Sequence, residues 1–226
     1  MKIPRKTFIS GLLLLAFVLL EPALLLARER PADITWEKEI QAFEARDRLG
    51  PPPENSILFI GSSSIRLWKT LADDFPGNRV INRGFGGSQI IDSVKYAERI
   101  VWPYRPKLIV MYAGGNDINS GKTADQVVAD FKSFVVKVRA GLPGVRIAYI
   151  SIAPNPARWS QVETVKAANS LISQYCQISG LEFIDVFHHM LGKDGLPLPD
   201  IFAEDRLHLN ARGYALWRQI VAPYLK

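Results

Sequence analysis

One cysteine in 226 residues, Cys176, rules out an internal disulfide and leaves no metal-binding cysteine spacing. It lies among apolar residues of an expected helix and reads as a buried, inert thiol. Histidine is almost as scarce: His188, His189 and His208 must supply any chemistry that needs an imidazole. The net charge of +6 points towards nucleic acid, but residues 1 to 30 hold five Lys/Arg against two Asp/Glu. The remainder has 23 basic and 20 acidic residues, a net of +3, with no basic cluster interleaved with aromatics, so nucleic acid is set aside. No internal repeat, low-complexity tract or composition shift divides the chain beyond residue 30. With 48% hydrophobic and 22% charged residues, general disorder is excluded.

One long apolar run is present, and it stands at the start. "MKIPRK" is basic, and residues 8 to 27, "FISGLLLLAFVLLEPALLLA", are almost wholly apolar. The thirteen residues from Phe8 to Leu20 suit the core of a secretory signal, although no small-x-small cleavage site follows because Leu25 stands two before Ala27. Read through Glu21 and Pro22, the same segment reaches twenty residues and spans a bilayer as an uncleaved anchor. Either way residues 1 to 30 export the rest, to the periplasm or outside the cytoplasm on a membrane anchor, and the membrane is met only through this segment. Arg28, Glu29, Arg30 and Pro31 begin a polar linker, and residues 31 to 226 form one domain with one core.

Past Trp36, short β-branched runs alternate with longer helical stretches. Residues 57–60, 79–82, 107–113, 145–152 and 181–186 read as strands, continuous rather than alternating, as strands covered on both faces are. Helical segments fall near 64–74, 88–101, 123–141, 161–179 and 211–224. The third is the clearest, with Thr123 as cap, Val127, Phe131, Phe134 and Val138 on one stripe, and Gly141 at its end. Five alternations predict an α/β fold: a three-layer α/β/α sandwich around a five-stranded, mostly parallel sheet.

Such a sheet binds ligands beyond the carboxyl ends of its strands. There the sequence places Gly61, Ser62, Ser63 and Ser64 after the first strand, "RGFGGS" after the second, "GGND" after the third, and "EDRLHLN" after the fifth. Acyl transfer needs a hydroxyl nucleophile, an imidazole base, a carboxylate to orient it and donors for the oxyanion. His208 stands three residues after Asp205, before the last helix; His188 and His189 are adjacent and read as a solvated loop. Each residue has a plain structural alternative. The serines could form a turn with Ser64 capping the next helix, Gly87 could serve a positive-φ turn, and Asn116 and Asp117 could cap a helix.

Taken together in this order, the blocks over residues 57 to 208 resemble the SGNH hydrolases, also called GDSL-like esterases and lipases. The family's Gly-Asp-Ser block matches Gly61, Ser62 and Ser63; its glycine block falls in "NRGFGGSQ"; Gly-x-Asn-Asp matches Gly114 to Asp117; Asp-x-x-His matches Asp205 and His208. The resemblance implies a flavodoxin-like sheet, Ser63, Asp205 and His208 as catalytic triad, and the Ser63 backbone, the Gly87 backbone and the Asn116 side chain as oxyanion donors. It implies neither metal nor organic cofactor. Ser62 stands where the family has aspartate, which leaves the triad whole and alters the first turn. Asp117 is read as structural.

Other chemistries fit less well. A metal-dependent phosphoesterase would need several His and Asp ligands, and a dinucleotide enzyme fails on Gln89, which replaces the third glycine of the phosphate loop. An inactive saccharide-binding relative would not need the triad residues. With no long insertion, the expected site is shallow and suits short acyl groups such as acetyl. The expected partner is a small-molecule or saccharide ester, O-acetylated cell-envelope saccharides among them, with lysophospholipids as the competing class. In "APNPARWSQ", Arg158 and Trp159 offer a rim for a sugar or head group, while Trp159 could equally pack the following helix.

Overall fold

The computed structural model describes Met1 and residues 33–226. The expected leader over residues 1 to 30 falls, but for Met1, outside the described residues. Among the described residues no helix is long and apolar enough to cross a membrane.

Five strands form one all-parallel sheet: β1 (Ile57–Gly61), β2 (Val80–Gly84), β3 (Leu108–Tyr112), β4 (Arg146–Ile150) and β5 (Glu182–Ile184). Their spatial order is β2-β1-β3-β4-β5, the flavodoxin-like order, in which the chain reverses its direction of sheet building between β1 and β3. Among the described residues the α-helices are α1 (Asp33–Leu49), α2 (Ser63–Arg66), α3 (Leu71–Asp74), α4 (Ile90–Ile100), α5 (Gly115–Asn119), α6 (Ala124–Gly141), α7 (Val162–Ser179) and α8 (Ala211–Val221).

Alternate side chains of each strand enter opposite layers, as the two-residue repeat of a strand requires. Leu58, Ile60, Ile109, Met111 and Tyr149 pack with α1, α4, α6 and α7. Ile57, Phe59, Leu108, Val110 and Ile150 pack with α2, α3 and α8, where Trp68 and Trp217 are fully buried. All five residues of β1 and of β3 are buried, which is why these strands read as unbroken apolar runs. Cys176 is buried on α7, and burial pushes its thiol up to about 12. Thr123 caps α6 as expected, its hydroxyl accepting from the Gln126 N–H at 3.3 Å while Gln126 returns a bond to the Thr123 N–H.

The structure corrects two expectations. The helix expected near 64–74 is two short ones, α2 and α3, because the chain bends at Leu67–Thr70 to send Trp68 into the core; its Nε1–H donates to Asp74 Oδ2 at 2.6 Å. Ser64 therefore does not start the helix: Ser62 holds the cap position, with Ser63 as the first helical residue. The second correction is α1, which lies where the composition reads as polar linker. Its buried residues Ile40 and Phe43 fall on one stripe with Trp36. Burying each such side chain contributes about 1.5–3 kcal/mol, more than solvent-screened pairs such as those of the half-buried Arg99 with Glu37 and Glu44. The apolar stripe is what holds α1 in place. Arg83, nearly buried, adds a bond to Tyr104 at 2.7 Å and an ion pair to Asp47.

Candidate active site

The residues after β1 and β3 meet where the sheet order reverses, the place where an open parallel sheet leaves a crevice. β1 ends on Gly61 with φ +132°, and a Cβ there would lie 1.9 Å from the Tyr112 carbonyl oxygen of β3. Only glycine permits this approach. The turn that follows is fixed by the Ser62 N–H donating to that same carbonyl at 2.9 Å. Ser63 then opens α2, where first-turn N–H groups have no intrahelical acceptor. Its N–H has no acceptor among the described residues.

From the loop before α8, Asp205 and His208 reach the same place. Asp205 Oδ1 accepts from the Leu207 N–H at 3.0 Å and the His208 N–H at 2.9 Å, while Oδ2 lies 2.6 Å from His208 Nδ1. His208 Nε2 lies 2.9 Å from Ser63 Oγ. With Nδ1–H given to the carboxylate, Nε2 carries the lone pair that accepts the serine proton. The imidazole hydrogen bond, followed by those backbone donors, holds the Asp205 carboxyl down to about 2. Its ionised form is favoured by the fold, so this contribution is complete above the ordinary carboxylate value and is lost only as pH falls through about 2.

The spacing Asp-x-x-His occurs a second time, at Asp185 and His188, with the same 2.6 Å contact from Oδ2 to Nδ1. That imidazole is 77% exposed, against 27% for His208, and meets no serine. The motif alone makes a local pair; placement beside the strand-end serine gives the pair a hydroxyl to act on.

Asn116, in α5, is held at both ends. Its Nδ2 donates to the Ser88 carbonyl at 3.0 Å and its Oδ1 accepts from Arg158 Nη1 at 3.1 Å, leaving one amide N–H unused. Gly87, with φ +74°, has an N–H without an acceptor among the described residues. It is not among the residues lining the cavity that holds Ser63, Asn116 and His208; its loop is joined to Asn116 through Ser88. Asp117 is fully buried, accepts from the Ile90 N–H that opens α4, and pairs with Lys122 at 3.0 Å. It fastens α5 to α4. Burial raises its carboxyl and the Lys122 ammonium opposes that shift.

The three serines do different things. Ser63 faces the imidazole. Ser64 is buried, its carbonyl accepting from the Tyr214 hydroxyl at 2.9 Å, and the Tyr112 carbonyl holds the Ser62 N–H. Ser62 lines the cavity and its side chain makes no capping bond. Tyr112 and Tyr214 are therefore supports of the serine turn that no sequence motif marked. His188 and His189 stand on a short exposed turn, as expected. Trp159 is half-buried and lines a small side hollow with Ile152 and Val165.

The cavity beside Ser63 measures about 30 Å³. A larger hollow, about 360 Å³, lies between α1 and the β2 edge. Neither Ser63 nor His208 lines it, so chemistry rather than size locates the site. Among the described residues no group of three or more His, Cys, Asp or Glu side chains is placed to hold a metal ion.

A family model described as GDSL-like Lipase/Acylhydrolase family matches residues 61–216. A search of curated protein sequences gives no match. Among solved structures, a GDSL-like lipase from Bacteroides thetaiotaomicron VPI-5482 is similar at TM-score 0.73 and 19% identity, over 82% of this chain and 96% of that one. An acetylxylan esterase from Geobacillus stearothermophilus is similar at 0.64 and 16% identity, over 76% and 94%. An acetyl esterase solved with an acetate ion is similar at 0.60 and 18%, over 75% and 95%. At these identities the structural likeness speaks for the shared α/β fold.

Proposed function

The chain belongs to the GDSL-like lipase/acylhydrolase family, and we propose that within it the protein is a serine esterase that removes short acyl groups, acetyl above all, through an acyl-enzyme. The observation that carries this reading is the hydrogen-bonded chain Asp205–His208–Ser63 at the sheet's switch point. Ser63 Oγ attacks the ester carbonyl as its proton passes to His208 Nε2, and Asp205 stabilises the imidazolium that forms. The tetrahedral intermediate places its oxyanion among the free N–H groups of Ser63, Gly87 and Asn116. It collapses by expelling the alcohol, which takes the proton from His208. Water, activated by the same imidazole, then cleaves the acyl-enzyme and releases the carboxylic acid.

Replacing Asn116 with alanine is expected to lower kcat by about 10²- to 10³-fold with little change in KM, the loss typical of one oxyanion donor. Steady-state kinetics on an aryl acetate, with a circular dichroism check of folding, reads this directly.

The acyl preference follows from space. A cavity of about 30 Å³ is an order of magnitude below the roughly 300–1,000 Å³ that encloses a drug-sized ligand. The acetyl esters named for two of the similar structures agree with a small acyl pocket. With the export implied by the apolar leader, O-acetylated cell-envelope saccharides are the substrates we propose. A series of nitrophenyl esters tests the preference: kcat/KM is expected to be highest for acetate and to fall as the chain lengthens. A maximum at eight or more carbons would favour a lysophospholipase instead.

A further inference from the structure

The cavity beside Ser63 contains one guanidinium and no carboxylate. Of its lining residues, Arg158 and His208 alone carry ionisable nitrogen, and the adjoining side hollow adds no acid. Arg158 enters from the turn Pro156–Gln161 that follows β4. The turn is held by the Arg158 N–H, which donates to Asn155 Oδ1 at 2.9 Å. Its Nη1 donates to two neutral oxygens, the Gly115 carbonyl at 3.2 Å and Asn116 Oδ1 at 3.1 Å. Among the described residues, Nε and Nη2 have no hydrogen-bond partner, and no Asp or Glu oxygen lies within 4.0 Å.

Among the described residues this separates Arg158 from the other partly or fully buried arginines, which have carboxylate partners: Arg83 has Asp47, and Arg99 has Glu37 and Glu44. A cation drawn half out of water without a counter-charge pays desolvation that neutral acceptors repay in part. Burial accordingly lowers the Arg158 guanidinium from its usual value, with no nearby carboxylate raising it. The unused N–H groups form a fork of the kind that engages two oxygens of one carboxylate or phosphate.

We propose that Arg158 is an anion-binding subsite beside the reacting serine, so that the preferred substrate is an acyl ester bearing a carboxylate or phosphate on its alcohol portion. This rests on the esterase reading for its substrate but not for the binding itself. An acylated acidic saccharide and an ester with a phosphate-bearing head group would offer the same chemistry, and the test separates them.

Three esters matched in size differ only in the remote group: 3-acetoxybenzoate, 3-acetoxyphenyl phosphate and the neutral 3-acetoxybenzamide. Wild type is expected to prefer at least one anionic ester by about tenfold in kcat/KM, the worth of roughly one charge-assisted contact. In Arg158→Gln the anionic-to-neutral ratio falls to its value for uncatalysed reactivity, mainly through KM, and Arg158→Lys retains part of it. Any loss through the Asn116 contact is common to all three esters and cancels in the ratio. Which anionic ester is preferred identifies carboxylate or phosphate. An unchanged ratio in Arg158→Gln, or a fall shared equally by the three esters with KM constant, overturns the subsite.

Calorimetric binding of 3-hydroxybenzoate and inorganic phosphate reads the subsite without turnover. Binding weakened about tenfold by Arg158→Gln supports it even if none of the esters is hydrolysed, in which case the esterase reading alone fails. Binding indifferent to Arg158→Gln removes the subsite, while hydrolysis of the neutral ester would leave the esterase reading intact.

Discussion

Replacing Ser63 with alanine is expected to lower ester turnover by about 10⁴- to 10⁶-fold, since the nucleophile, base and carboxylate act as one unit and removing the nucleophile removes the covalent route. Any remaining rate would come from oxyanion donors acting on water attack. The fold should survive, because among the described residues the Ser63 side chain hydrogen-bonds His208 Nε2 alone and is not part of the core. Ser62→Ala and Ser64→Ala are the informative neighbours. Ser62 makes no side-chain cap bond, so its loss should cost little. Ser64→Ala keeps the backbone carbonyl that accepts from the Tyr214 hydroxyl, so the turn and the fold should hold. Its rate effect should be far smaller than that of Ser63→Ala. Initial rates together with thermal melts separate these outcomes.

The second large effect belongs to the carboxylate. Asp205→Asn preserves the shape and can keep the Oδ1 bonds to the Leu207 and His208 N–H groups. The amide, however, no longer compensates an imidazolium and can hold the ring in the wrong tautomer. A loss of about 10²- to 10⁴-fold in kcat with KM little changed is expected, the upper value being that of a buried triad carboxylate. The lower bound reflects the exposure of the Asp205 side chain, 49%, which lets water screen its charge. Asp185→Asn is the matched control, changing the same Asp-x-x-His pair where it meets no serine, and should leave the rate unaltered. Equal losses in the two variants would refute the assignment of roles.

The contrast between these two pairs also shows what the sequence could and could not disclose. The buried strands were legible because two-sided burial makes them continuously apolar, and α6 because its cap and stripe are both written locally. Glycine and polar blocks after successive strands were legible as a rim because parallel connectivity forces strand ends to one edge. α1 was missed because its apolar residues, Trp36, Ile40 and Phe43, are diluted by charged residues whose partners Arg83 and Arg99 lie far along the chain. The break between α2 and α3 was missed because it depends on where Trp68 finds its aromatic neighbours Phe59, Phe75 and Trp217. The roles of Ser64 and Tyr112 in holding the serine turn, and the Arg158 bond to Asn116, depend on contacts between distant segments that no local pattern records.

The central claim is that Ser63, alone among the three serines at the end of β1, is the nucleophile. Labelling with a fluorophosphonate, followed by peptide mass spectrometry, tests it most directly on wild type, Ser63→Ala, Ser62→Ala and Ser64→Ala. The expected result is a single adduct on Ser63 in wild type and in both neighbour variants, and none in Ser63→Ala. Labelling that persists in Ser63→Ala and vanishes in a neighbour, or a wild-type protein that takes no label at all, would contradict it.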